Sequence, residues 1–235
     1  MTSTPLILMY HSVAKYEYDP LHITVTPERF SEQMRWLAGR GLRGVSLRDL
    51  RDAQAAGRAR RLVGLTFDDG YVDFAAEAVP VLVRYGFTAT VFVVAGRIGG
   101  HNAWDAEYPR KNLMDHDELS RVARAGMEIG SHSVRHASLP GLADHGLELE
   151  LTVSKEILQE VTGAEVTGFA YPYGHVGRRE AAAVRAAGYD YACAIWRSDS
   201  TGRYALPRTY VGEDDGPMRL FAKRALHRLR RRRRA

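Results

Sequence analysis

Residues 62–70 read Leu-Val-Gly-Leu-Thr-Phe-Asp-Asp-Gly, a short apolar run that ends in two adjacent carboxylates. A continuous apolar run closed by a turn signal is the pattern of a strand buried on both faces of a parallel sheet. The same kind of run recurs at 6–10, 43–45, 89–94, 128–131, 167–171, 191–195 and 206–211. Amphipathic stretches lie between, at 27–40, 73–85, 115–125, 145–161 and 178–187. The first opens on Thr26-Pro27, an N-cap followed by proline at the first helical position. Gly86, Gly126, Gly163 and Gly188 follow the other four as stop signals. Strands alternating with helices through the chain predict one α/β domain whose parallel sheet closes, or nearly closes, into a barrel. The longest stretch without periodicity, 95–114, is expected to be a functional or mobile loop.

Composition narrows the function. The chain has 235 residues, 45% hydrophobic and 26% charged, which excludes wholesale disorder. No apolar run approaches the length of a membrane-spanning helix, and no basic segment precedes the first apolar run as in a signal peptide. The expected location is therefore the cytoplasm or the inner membrane face, with an extracellular site left open. The lone Cys193 sits in an apolar run and reads as a small buried hydrophobe. The net charge of +5 is unevenly spread: residues 219–235 hold nine basic side chains and no acid, so residues 1–218 carry −4. An acidic body does not suit nucleic acid. We therefore expect a catalytic body over 1–218 and a basic tail over 219–235. That tail is read as a solvated helix end or as a contact with an anionic membrane.

In such barrels reactive groups sit at the C-terminal ends of strands. Adjacent Asp68 and Asp69 face desolvation and like-charge repulsion together, a conflict that a metal or a base role resolves; capping the next helix is the plainer reading. His132 and His136 are four residues apart, the spacing of one face of a helical turn. With an aspartate from another strand end they make a two-histidine, one-carboxylate site that suits zinc, iron or cobalt. Residues 168–174, Gly-Phe-Ala-Tyr-Pro-Tyr-Gly, read as a rigid aromatic wall with an exposed amide. His11 closes the first strand at the same rim, after Leu8-Met9-Tyr10. His22, His101, His116, His145, His175 and His227 have no comparable partners and read as surface or loop residues.

Taken together these residues resemble the polysaccharide deacetylase family, the NodB-like domain of carbohydrate esterase family 4. Thr66-Phe67-Asp68-Asp69-Gly70 is similar to its first motif and His132-Ser133-Val134-Arg135-His136 to its second. The resemblance implies a distorted (β/α) barrel and metal-dependent hydrolysis of N-acetyl groups on amino sugars. It implies Asp69, His132 and His136 as ligands of one divalent metal, zinc by preference. It further implies Asp68 as general base, the Tyr173 N–H as an oxyanion donor and a histidine as general acid. Two departures stand out. Ala170 occupies the place of the family's third-motif arginine, and the family's late Leu-x-His motif has no counterpart near the C-terminus. Leu8-Met9-Tyr10-His11 resembles that motif moved to the front, as in the circularly permuted poly-N-acetylglucosamine deacetylase branch. We therefore expect His11 to be the acid, facing Asp68 across the metal, with His175, and behind it His227 in the basic tail, as rivals. Arg208, after an apolar strand, is expected to replace the missing arginine. The expected partner is an N-acetylated sugar or polysaccharide; Tyr10, Tyr171, Tyr173 and Trp196 are candidates to stack on its rings, with core packing as the alternative. An amidase acting on a small non-sugar amide, or a sugar-binding pseudoenzyme, would use the same fold.

Overall fold

The computed structural model describes residues 5–195 and 202–232, with side chains described to residue 227. Trp196 lies outside the described residues. In chain order the barrel begins with β1 (Ile7–Tyr10), β2 (Ser12–Val13) and β3 (Thr24–Val25), then α1 (Pro27–Gly39), β4 (Arg43–Val45), α2 (Leu47–Ala55) and β5 (Leu62–Phe67). It continues through α3 (Val79–Arg84), β6 (Thr90–Val93), α4 (His116–Arg124), β7 (Glu128–Ser131), α5 (Asp144–Thr162), β8 (Gly168–Ala170) and α6 (Arg178–Ala186). It ends with β9 (Tyr191–Ala194), β10 (Leu206–Pro207), β11 (Thr209–Tyr210) and α7 (Pro217–Arg232). Among the described residues nine strands form one parallel sheet in the order β10-β9-β8-β7-β6-β5-β1-β11, with β4 also paired to β5. This is the expected α/β architecture, a nearly closed, distorted (β/α) barrel.

The closure is the least obvious feature. The run 206–211 reads as one strand but is divided: Leu206 and Pro207 pair with β9, whereas Thr209 and Tyr210 pair with β1. The chain thus steps across the gap in the barrel within a single residue, Arg208, whose side chain is 1% exposed. Pro207 has no N–H to extend a ladder, which favours ending one pairing there.

Two helices differ from expectation. The segment 73–85 opens with a π-turn, Phe74–Ala78, before α3 begins. Pro80 removes one i→i−4 bond at that point, and a widened turn absorbs the loss. The sequence Leu-Arg-Asp-Leu-Arg-Asp-Ala-Gln-Ala forms α2, capped by the Ser46 side chain on the Asp49 N–H; it buries only Leu47 and Leu50.

The core lies beneath the rim that carries the site. Tyr10, at the end of β1, stacks on Phe67, at the end of β5, with centroids 5.1 Å apart. Phe30 from α1 packs edge-on against both. Burying each such ring contributes about 1.5–3 kcal/mol. The packing fixes the two strand ends whose next residues are His11 and Asp68. Tyr10 and Tyr171 are 0% and 1% exposed, so they are core residues and not sugar platforms. Cys193 is buried, as its apolar run implied.

Candidate active site

Asp68 and Asp69 leave β5 together and diverge because Asp69 adopts a left-handed backbone, φ 74°. The Asp68 amide still donates to the Tyr10 carbonyl, so its position extends the β1–β5 ladder. Its carboxylate meets Arg208 in a bidentate pair, Nη1 to Oδ1 at 2.5 Å and Nη2 to Oδ2 at 2.7 Å. Arg208 Nη1 also approaches Thr66 Oγ1, whose hydroxyl donates to the Leu8 carbonyl. Burial alone would raise the Asp68 pKa. The Arg208 guanidinium, with help from His132 and His11, outweighs it and holds the carboxyl well below the usual carboxylate range.

Asp69 has the opposite environment. Burial and then the Asp68 charge push its pKa well above the ordinary value. Its Oδ1 is buried and has no hydrogen-bond partner among the described residues. Two imidazole nitrogens converge on that atom, His132 Nε2 at 3.6 Å and His136 Nε2 at 3.5 Å. These separations are long for hydrogen bonds. They match the roughly 3.3–3.6 Å edge of a tetrahedron whose vertices lie about 2.0–2.2 Å from a central zinc. One atom from each of the three residues fits within 4.8 Å of the others. Burial lowers the pKa of His132 to about 4 and that of His136 to about 2, so both rings are neutral at neutral pH, as ligands must be. An orphaned carboxylate oxygen beside two neutral imidazoles fits a divalent cation.

The histidine pair is not on a helix. Residues 132–136 form a loop after β7, with left-handed backbone at Ser133 (φ 67°) and His136 (φ 61°). The chain doubles back there, and Ser133 Oγ accepts from the His136 N–H at 3.0 Å. Glu150 of α5, 1% exposed, clamps the loop from behind. One carboxylate oxygen accepts from the amides of Val134 and Arg135 at 2.8 and 3.0 Å, and the other from the Arg135 guanidinium at 2.6 Å. On the other side the Gly96 amide donates to the Val134 carbonyl; a Cβ on Gly96 would stand 2.7 Å from that oxygen.

His132 Nδ1 donates to the Ala170 carbonyl at 2.8 Å. A carbonyl only accepts, so this contact places the proton on Nδ1 and leaves the Nε2 lone pair facing Asp69. Position 170, an alanine where the resembled family carries an arginine, thus contributes backbone, and the guanidinium that meets Asp68 comes from Arg208.

His11 is partly buried, and its Nε2 lies 3.9 Å from Asp68 Oδ2. It is a neighbour of Asp68 and does not face it from the far side of the cluster, because β1 and β5 are adjacent. Burial, opposed by Asp68, holds its pKa below the usual histidine value. Tyr173, φ 60° and 45% exposed, presents its ring edge to His136 at 4.7 Å. Trp104 stacks on the other side of His136, centroids 4.7 Å apart and planes 20° from parallel. Trp104 belongs to the aperiodic stretch 95–114; nothing in its spacing singled it out. His175 is exposed, its ring tilted against Tyr173. His227 lies at the opposite end of the barrel, sharing a cavity with Pro5, Leu6 and Leu62.

Comparison with known proteins agrees with this picture. Residues 55–192 match the polysaccharide deacetylase family. The Bacillus subtilis protein YxkH, provisionally named a polysaccharide deacetylase, is 29% identical over 87% of this chain and 70% of its own length. The poly-β-1,6-N-acetyl-D-glucosamine N-deacetylase of Staphylococcus aureus is 21% identical over 90% of this chain and 80% of its own. The fold is shared with the Streptococcus pyogenes deacetylase PplD, solved in complex with acetate: TM-score 0.78, 23% identity, 93% of this chain and 96% of that one.

Proposed function

The chain belongs to the polysaccharide deacetylase family, and from that premise we propose that it hydrolyses N-acetyl groups from amino-sugar units of a glycan, using one divalent metal, zinc by preference. The observation that carries this reading is the placement of a three-donor cluster, Asp69, His132 and His136, beside an Asp68 held ionised by Arg208.

Asp69 Oδ1, His132 Nε2 and His136 Nε2 would hold the ion. When bound, it lowers the pKa of water and polarises the acetyl carbonyl. Asp68 accepts the proton of the attacking water, and its pairing with Arg208 fixes which lone pair faces the substrate. The Tyr173 N–H donates to the carbonyl oxygen as negative charge develops there. The water oxygen bonds to the carbonyl carbon and the carbon–nitrogen bond breaks. The nitrogen leaves as an amine after receiving a proton from His11. His11 starts neutral, so its proton is most simply the one Asp68 has just taken, passed across the 3.9 Å that separates them. Acetate and a free amino sugar result. Exposed Tyr173 and half-buried Trp104 would flank the sugar ring, since both already pack against His136.

The substrate polymer is proposed to be β-1,6-linked N-acetylglucosamine, by likeness to the staphylococcal enzyme. The test is acetate release from β-1,6- and β-1,4-linked N-acetylglucosamine oligomers and from small N-acetyl amides, before chelation, after it, and after zinc is returned. Zinc-restored release from the β-1,6 oligomer is expected. Release only from small amides would favour a non-sugar amidase. Oligomer binding without release would mark a pseudoenzyme.

A further inference from the structure

His11 is the single residue between β1, a strand of the barrel sheet, and β2, which pairs with β3 in a separate two-stranded sheet. Its Nε2 lies beside Asp68, but its buried Nδ1 has no hydrogen-bond partner among the described residues. With no such bond in place, the backbone to either side sets where the ring lies. Behind it, the Asp68 amide donates to the Tyr10 carbonyl and Tyr10 stacks on Phe67. Ahead of it, a second tie joins the same two chain segments, and it is made by Asp73.

Asp73 follows the two site aspartates along the exit of β5 and lies outside the three-donor cluster. Its carboxylate oxygens divide between neighbouring residues of β2: Oδ1 accepts from the Val13 amide at 3.1 Å and Oδ2 from the Ser12 hydroxyl at 2.5 Å. Ser12 and Val13 are both 0% exposed, so water does not compete for either donor. Lys111 Nζ donates to the same Ser12 oxygen at 2.8 Å. An ammonium only donates, so the hydroxyl hydrogen turns to Asp73. Lys111 belongs to the aperiodic stretch 95–114, and its amide and carbonyl are both bonded to Asn102, closing the loop that carries Trp104. The exit of β1, the exit of β5 and the loop that stacks Trp104 on His136 thus meet at one Ser12–Asp73 pair.

We propose that Asp73 is a positioning residue for proton transfer: through Ser12 and Val13 it holds His11 at its 3.9 Å separation from Asp68. The proposal rests on His11 as the acid of the reaction described above. Asp68 is held independently, by Arg208 and by its amide bond to Tyr10, so loss of Asp73 falls on His11. A misplacement of about 1 Å can cost about a hundredfold in rate, and here the cost falls on the step that needs the proton. Departure of the amine is that step; binding of the sugar and of the metal is not. An acetyl ester with a good leaving group avoids it, because a nitrophenolate departs unprotonated.

The test compares the zinc-loaded wild type, Asp73→Ala, Asp73→Asn, Ser12→Ala and His11→Ala on a β-1,6-linked N-acetylglucosamine oligomer and on 4-nitrophenyl acetate, with zinc content measured on each protein. Asp73→Ala is expected to lose about 10–100-fold in kcat on the oligomer, with KM, zinc content and ester hydrolysis near wild type. Asp73→Asn keeps one acceptor oxygen and should recover part of the loss. Ser12→Ala removes one of the two ties and should show a smaller loss of the same kind, which carries the test if Asp73→Ala does not fold. His11→Ala should share the selectivity for the oligomer. Equal losses on oligomer and ester in the Asp73 and Ser12 variants would make the network a general support of the fold and overturn the assignment. Wild-type kinetics in those variants beside a selectively impaired His11→Ala would overturn it while leaving the acid in place. Equal losses on both substrates in His11→Ala would remove the acid itself, and the proposal with it.

Discussion

Arg208 holds Asp68 by both terminal guanidinium nitrogens, Nη1 and Nη2, at 2.5 and 2.7 Å, from the single residue that carries the chain across the barrel closure. The pair is buried on both sides, the Arg208 side chain 1% exposed and that of Asp68 4%. Fold and site are therefore coupled: the residue that joins the sheet's two ends also sets the charge of the proposed base.

That coupling predicts the behaviour of Arg208→Gln. Asp68 has a depressed pKa, so the pair contributes stability that is present above the unfolded carboxylate value and is lost as pH falls through the folded one. Without the guanidinium, burial dominates and the Asp68 pKa rises. The acid limb of the kcat/KM profile should move to higher pH. Breaking a buried pair from one side costs about 3–5 kcal/mol, so the melting temperature at neutral pH should drop on the order of 10 °C. Adding Asp68→Asn should recover part of that loss, because the second charge is then gone too. A pH profile identical to wild type in Arg208→Gln would show that the guanidinium does not tune the base.

The two aspartates should separate cleanly. Asp68→Asn is expected to keep wild-type zinc stoichiometry and lose about a hundred- to ten-thousand-fold in kcat, the usual range for a general base. Asp69→Asn should lose the metal, because its Oδ1 is the atom on which both histidines converge. Metal analysis beside kinetics on both variants decides; metal loss in Asp68→Asn would reverse the two roles.

Glu150 predicts an effect at a distance. Its carboxylate receives the Val134 and Arg135 amides and so holds the turn between the two histidines. Removing a partner that orients a ligand typically costs about 10–100-fold in metal affinity. Glu150→Ala should weaken zinc by that amount in a competition titration, and Glu150→Gln, which keeps an acceptor oxygen, should recover part of it. Wild-type zinc affinity with only a lowered melting temperature would make the residue purely structural.

What the chain made legible, and what it hid, follows from how each residue reaches the site. Asp68 and Asp69 stand directly after one apolar run and Tyr173 two residues after another, so strand ends alone bring them to one rim. The histidine motif was legible as a pair, but its helical explanation fails. Spacing says nothing of the left-handed turns at Ser133 and His136 that bring the rings together. Glu150 acts from the middle of a long amphipathic helix, where a buried glutamate looks like any surface acid. Trp104 sits in a loop without periodicity. The break at Arg208 was hidden because 206–211 reads as one apolar strand; only pairing with two different neighbours divides it. The short, charged α2 was missed because two buried leucines make no visible stripe.

Of the three histidines considered as the acid, His11 alone sits beside Asp68. His227 is at the far end of the barrel from Asp68, which removes it from the chemistry. His175 is exposed and tilted against Tyr173, outside the buried cluster. His11 Nε2 lies 3.9 Å from Asp68 Oδ2, with the packed ends of β1 and β5 fixing both. The amine leaves poorly without a proton, and substrate binding does not require that proton. His11→Ala should therefore lower kcat by about a hundredfold or more, with KM and zinc content near wild type. Burial keeps His11 below the ordinary histidine pKa, so less of the protonated form exists at neutral pH than for a free histidine. Because the proton reaches His11 from Asp68 during turnover in the proposed reaction, the wild-type rate should persist above that lowered pKa and not decline with it. Kinetics of His11→Ala and His175→Ala measured side by side decide the assignment: an active His11 variant beside an inactive His175 variant would move the acid to the exposed loop and end the permuted reading.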